Sequence, residues 1–156
     1  MDMQLLEFTQ QLTQKQYQNL TILPVNPENN TEIISKLEKG ISNLKIIDLG
    51  KFLAKKILDG AEATEIEGIL DDFIDNEKSE FFLITNSGIL FDMSLKLEPL
   101  RLFKNLSAKW SPKKLIVLWY GKRNNNQLTY ARRWHSEYNE YIIPKIDARI
   151  IDLEDA

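Results

Sequence analysis

At 156 residues the chain is one domain's worth, large enough to bury a core unaided, and its lack of cysteine excludes a disulfide framework, a thiolate metal site and a cysteine nucleophile. Hydrophobic residues at 43% and charged residues at 28% are ordinary for a globular protein and exclude an intrinsically disordered one. The net charge of −3 hides an asymmetry, because residues 1–100 hold 9 Lys/Arg against 17 Asp/Glu while residues 101–156 hold 11 against 6.

The first segment, about Leu5 to Asn19, carries Leu5, Leu6, Phe8, Leu12 and Tyr17 mostly on one side, which predicts a helix. That spacing and the early Asp2 are unlike a secretory signal or a transit peptide. No run approaches the ~18 apolar residues of a membrane span, so a soluble, cytoplasmic chain without a membrane partner is expected. Leu20–Val25 is a short β-forming run broken by Pro24, followed by a polar loop at Asn26–Asn30. Thr31 stands where an N-cap belongs, ahead of an amphipathic stretch that Gly40 is expected to stop.

The unit repeats. Asn43–Leu49 predicts a second strand, Gly50 begins a helix that ends at Gly60, and Thr64 to Asn76 spaces Ile66, Leu70, Phe73 and Ile74 as a further helix. Ser79–Thr85 is the most completely apolar strand, and Glu98–Trp110 predicts a helix with Pro99 in its first turn. Lys113–Gly121 predicts a fourth strand, with a turn at the Asn-rich run and a hairpin return in Leu128–Ala131. Ala148–Leu153 closes the chain as a fifth. Strands apolar along their whole length are buried on both faces, and alternating them with helices implies crossover units. The expected fold is one domain, a three-layer α/β sandwich with a mostly parallel central sheet.

In such sheets the ligand site lies beyond the carboxyl ends of the strands. A phosphate-binding loop there needs glycines, a lysine and a magnesium-binding hydroxyl, but Asn26–Asn30 holds no glycine and no lysine. Asn29, Asn30 and Thr31 are the candidate positions of a degenerate phosphate loop, with a helix cap as the plainer role for Thr31. The third strand ends in Thr85 and Asn86, neither of which carries the charge that orders magnesium. Neither a metal nor any other cofactor is expected.

The stretches LFDMSLKLEPLRLF (Leu90–Phe103), LIVLWYG (Leu115–Gly121), LTYA (Leu128–Ala131) and HSEY (His135–Tyr138), in that order, resemble the BrxF proteins of type 3 BREX phage-defence systems. The resemblance covers roughly residues 80–141. It implies a P-loop NTPase-like fold and an accessory place beside a large ATPase, a DNA methyltransferase and an alkaline-phosphatase-like protein. In the family's pattern the Walker B acid falls on Thr85 and the following glutamate on Gly88 of this chain.

A basic, aromatic stretch remains. Lys122, Arg123, Arg132, Arg133, Trp134 and the lone His135 flank the expected hairpin, with Tyr130 and Tyr138 interleaved. Cations among aromatics suit a protein partner or single-stranded nucleic acid, while Trp119 and Tyr120 are expected in the core. Three functions follow: a non-catalytic accessory protein that binds other defence proteins; an ATPase, using ATP and magnesium, whose missing charges a partner supplies; and an adaptor touching DNA through the basic carboxyl-terminal third. Self-association is open in each.

Overall fold

The computed structural model describes residues 19–92, 96–107, 113–131, 137–142 and 148–151. The expected helix before Asn19 and the tail of the helix expected to reach Trp110 lie outside the described residues. β1 (Leu20–Val25) leads through a 3₁₀ turn at Pro27–Asn29 into α1 (Asn30–Gly40) and then β2 (Leu44–Asp48). α2 (Leu49–Leu58), α3 (Ile66–Asn76) and β3 (Phe81–Thr85) follow, then a 3₁₀ segment at Ser87–Phe91 and α4 (Pro99–Ser107). β4 (Lys114–Asn124), β5 (Gln127–Tyr130), β6 (Asn139–Ile142) and β7 (Arg149–Ile150) complete the described chain.

This is an α/β fold with a mixed sheet. Its main path runs β2-β3-β4-β1-β7 with parallel neighbours, and β5 and β6 add antiparallel pairings beside β4. The expected fourth strand stopped at Gly121, but β4 continues to Asn124 and carries the antiparallel pairing with it. β6 was not anticipated, since Asn139–Ile142 alternates too weakly between polar and apolar to announce a strand.

The sheet is covered on both faces. Leu23 and Val25 of β1, Leu83 of β3 and Ile116 and Leu118 of β4 pack with Ile33 and Leu37 of α1. The alternate residues Ile22, Phe82, Ile84 and Val117 pack on the other face against Leu53 of α2, Leu70 of α3 and Phe103 of α4. The chain crosses from β1 to β2 on the α1 face and returns through β3 to β4 on the opposite one. Direction and face change together, as a uniform crossover hand requires.

Pro24 does not break β1. Asn19 offers its carbonyl to Leu115 of β4 and Ile22 offers its own to Ile151 beyond β7, so even-numbered residues of β1 point toward β7. The N–H that Pro24 lacks falls on the β7 side, where the ladder pairs only Thr21 and Ile22 and ends before Pro24, so the cost is confined to the end of a short edge pairing. Gly40 is likewise inside α1 as its last residue, with Ile41 as the C-cap.

Candidate functional site at the carboxyl edge of the sheet

The segments that leave β1 and β3 run to opposite faces, and this leaves a crevice at the carboxyl edge. A cleft of about 180 Å³ occupies it, with Val25 and Asn30 on one wall and Ser87 and Gly88 on the other. Tyr120 borders it, and the fully buried Trp119 lies beneath. None of the residues lining it is charged.

The loop after β1 is turned inward on itself. Pro27 has no N–H, Glu28 N–H donates to Asn26 Oδ1 at 3.4 Å, Asn29 N–H to Asn26 O at 2.9 Å, and Asn30 N–H to Pro27 O. The Glu28, Asn29 and Asn30 N–H groups, which a phosphate-binding loop would turn toward its ligand, are therefore engaged within the 3₁₀ turn. Thr31 is not the cap. It is the exposed second residue of α1, and the capping role falls to Asn26, whose side chain closes the turn one step earlier. Of the three candidate loop residues only Asn30 lines the cleft, and its buried amide oxygen has no hydrogen-bond partner among the described residues.

The end of β3 is equally occupied. Thr85 is buried, and its hydroxyl donates to Ile47 O of β2 at 3.5 Å. Asn86 sits in the left-handed region at φ 53, and its Nδ2 donates to Asp48 Oδ1 at 3.2 Å. That same oxygen accepts Lys51 N–H at 3.1 Å as the cap of α2. Asp48, the acid that does stand at this edge, escaped notice in the sequence because a cap and an acid at a strand end look alike. Gly50 packs so close to the Asn86 amide that a Cβ there would collide with it.

The extension of β4, its antiparallel neighbour β5 and the β6 strand paired to β5 surround an aromatic cluster. Tyr130 stacks on Phe91 with ring centres 3.5 Å apart and planes within 3°. Trp119 meets Phe91, Tyr130 and Tyr141 edge-on. Tyr130 is thus a core residue, correcting the expectation that it stands among surface cations. Its phenol is pushed up to about 12, first by burial and then by the Glu137 carboxylate, and burial raises Tyr141 as well.

Lys122 and Arg123 are exposed on the far part of β4. The Thr129 hydroxyl bridges the backbone of Lys122, accepting its N–H and donating to its carbonyl, both at 3.3 Å, while Arg123 Nη1 reaches Ile150 O at 3.4 Å. Arg132, Arg133, Trp134 and His135 lie outside the described residues.

A larger cleft of about 580 Å³ lies beside the hairpin. One wall is Asp92, Leu97 and Arg101, from the run Leu90–Phe103, and the other is Glu137, Tyr138 and Tyr141 around the start of β6. Segments nearly forty residues apart in sequence meet there. Both belong to the motifs quoted above, and sequence spacing gave no sign of their meeting.

Among the described residues no group of three or more His, Asp or Glu could hold a metal ion, and no helix is long and apolar enough to cross a membrane. No protein-family model, characterised protein or solved structure matches the chain.

Proposed function

We propose that this chain is an accessory, non-catalytic P-loop-like protein of a bacterial anti-phage (BREX) defence system, acting in the cytoplasm by binding the system's other proteins. The observation that carries the reading is the 580 Å³ cleft, on which the Leu90–Phe103 run and Glu137–Tyr138 of the His-Ser-Glu-Tyr motif converge. Those are two of the segments on which the resemblance to BrxF rests. A cleft walled by apolar Leu97 and Tyr141 and rimmed by charges of both signs suits a protein surface better than a small anion.

The non-catalytic part of the reading draws on the carboxyl edge. The residues there do not fit magnesium nucleotide. The Glu28, Asn29 and Asn30 N–H groups are spent within the loop, the neighbouring cleft is uncharged, and Thr85 is turned toward β2 rather than toward the crevice.

The test is co-purification of the tagged full-length chain from cells carrying the neighbouring defence genes. The large ATPase, the methyltransferase or the phosphatase-like component should co-elute, and Arg101→Glu, on an exposed side chain at the cleft rim, should abolish that without lowering the melting temperature. Calorimetry with ATP and magnesium should give no saturable heat at micromolar protein. A co-eluting complex that ignores Arg101→Glu would remove the cleft from the account, and a micromolar nucleotide site would remove the non-catalytic reading.

A further inference from the structure

We infer that the outer edge of β6 receives an added strand, contributed by an extended segment of a partner protein in which apolar and basic residues alternate. The inference rests on the protein-binding reading above and names the chemistry of what occupies its cleft.

The first observation is the hydrogen-bonding direction of β6. Ala131 N–H donates to Tyr120 O at 2.7 Å, which fixes the alternation along β5 and turns the main-chain groups of Leu128 and Tyr130 toward β6. Their partners there are Tyr141 and Asn139, so the main-chain groups of Glu140 and Ile142 point away from β5. The Glu140 N–H agrees, since Asn139 Oδ1 accepts it at 3.0 Å. The Glu140 carbonyl and the Ile142 N–H remain, an acceptor and a donor on either side of Tyr141. No described strand pairs with them.

The second observation is exposure. Asn139, Glu140 and Ile142 are all exposed, and Ile142, at 49%, is one of two large apolar side chains so placed among the described residues. No lysine, proline or bulge blunts the strand.

The third is the position of the 580 Å³ cleft. Asn139 and Tyr141 line it and no residue of β5 does, so it opens beyond the outer edge of β6 toward Leu97. A residue set opposite Tyr141 would share its face of the ribbon and send its side chain into the cleft beside Phe91 and Leu97. An apolar side chain fits there.

Charge selects the residues between. Asp92, Glu98, Glu137 and Glu140 stand around the cleft and the strand against Lys96 and Arg101. Carboxylates are in excess, and lysine or arginine at the alternate positions of the added segment complements them.

The test uses the full-length protein and three capped, dye-labelled hexapeptides, read by fluorescence anisotropy. One alternates leucine with lysine, the second leucine with glutamate, and the third is the leucine–lysine peptide with alternate amides N-methylated. The first should bind saturably, at least tenfold more tightly than either of the others. Ile142→Pro removes the outward N–H without touching the β5 ladder, so it should weaken binding at least tenfold at an unchanged melting temperature. Ile142→Ala keeps that N–H and should retain most of the affinity. Equal binding of the methylated peptide, preference for the glutamate peptide, or full binding by Ile142→Pro would each overturn strand addition. Co-purification separates this failure from that of the cleft itself. A defence complex broken by Arg101→Glu but untouched by Ile142→Pro would keep the cleft and remove the added strand, and a complex indifferent to both would remove the two together.

Discussion

The indole Nε1 of Trp119 donates to the carbonyl oxygen of Thr129 at 2.8 Å, joining the last buried residue of the parallel sheet to the strand that turns back over it. Gly121, two residues on, makes the bond possible. A Cβ at this position would overlap the Thr129 carbonyl and lie 2.8 Å from the same indole nitrogen. Both obstacles are held in place, one by the backbone ladder of β5 and the other by full burial.

Gly121→Ala should therefore destabilise the protein by about 3 kcal/mol or more, since neither neighbour can move aside cheaply. Equilibrium urea unfolding measures it. A loss under about 1 kcal/mol would mean that β4 and β5 approach less closely than described.

Phe82 and Ile116 are both fully buried, yet they serve opposite faces of the sheet. Truncating Phe82 to Ala opens space beneath the α2, α3 and α4 layer, and truncating Ile116 opens it beneath α1. Each should cost roughly 2–5 kcal/mol in unfolding free energy, read from denaturant midpoints at unchanged slope.

The raised phenol of Tyr130 gives a signature in alkali. The folded state holds this proton more tightly than the unfolded chain, so its contribution is fully present below the ordinary tyrosine value of 10.0. That contribution is lost as pH rises through 10 toward about 12, because the unfolded state then gives up its proton first. The interval corresponds to roughly 2–3 kcal/mol. Stability measured across that range should fall in the wild type and fall distinctly less in Tyr130→Phe, which keeps the ring stacked on Phe91 and has no proton to lose.

The basic stretch that follows β5 in sequence gives a contrast with Tyr130. Replacing Arg132, Arg133 and Trp134 together with Ala should leave the melting temperature nearly unchanged and abolish complex formation or phage protection. Tyr130→Ala, next to them in sequence, should instead cost about 3 kcal/mol through loss of the ring against Phe91 and Trp119. If the stretch acts mainly through charge, binding should also weaken steeply with added salt. A triple variant that folds and protects cells fully would exclude the surface, and one that unfolds would make those residues structural.

Local pattern by itself determined the elements. Leu20–Val25 and Ser79–Thr85 announce buried strands because an apolar run can be satisfied only with both faces covered, and Ile66, Leu70 and Ile74 announce a helix because that spacing lines one face. The missing glycine and lysine of the Asn26–Asn30 loop were also legible, since identity alone decides whether a backbone can wrap a phosphate and a side chain can counter it. Only the tertiary structure decided how those pieces are used. Pro24 is tolerated because its missing N–H falls at the end of the short β7 pairing rather than against β4, and Thr31 loses the cap to Asn26 because a 3₁₀ turn starts the helix earlier. Tyr130 is core rather than surface because β4 runs on past Gly121 and folds β5 over Trp119. The meeting of Leu97 and Arg101 with Glu137 and Tyr138, and the unpaired oxygen of Asn30, belong to the same class. Each depends on which distant segment arrives at a given place, and sequence spacing encodes neighbours along the chain but not neighbours across a fold.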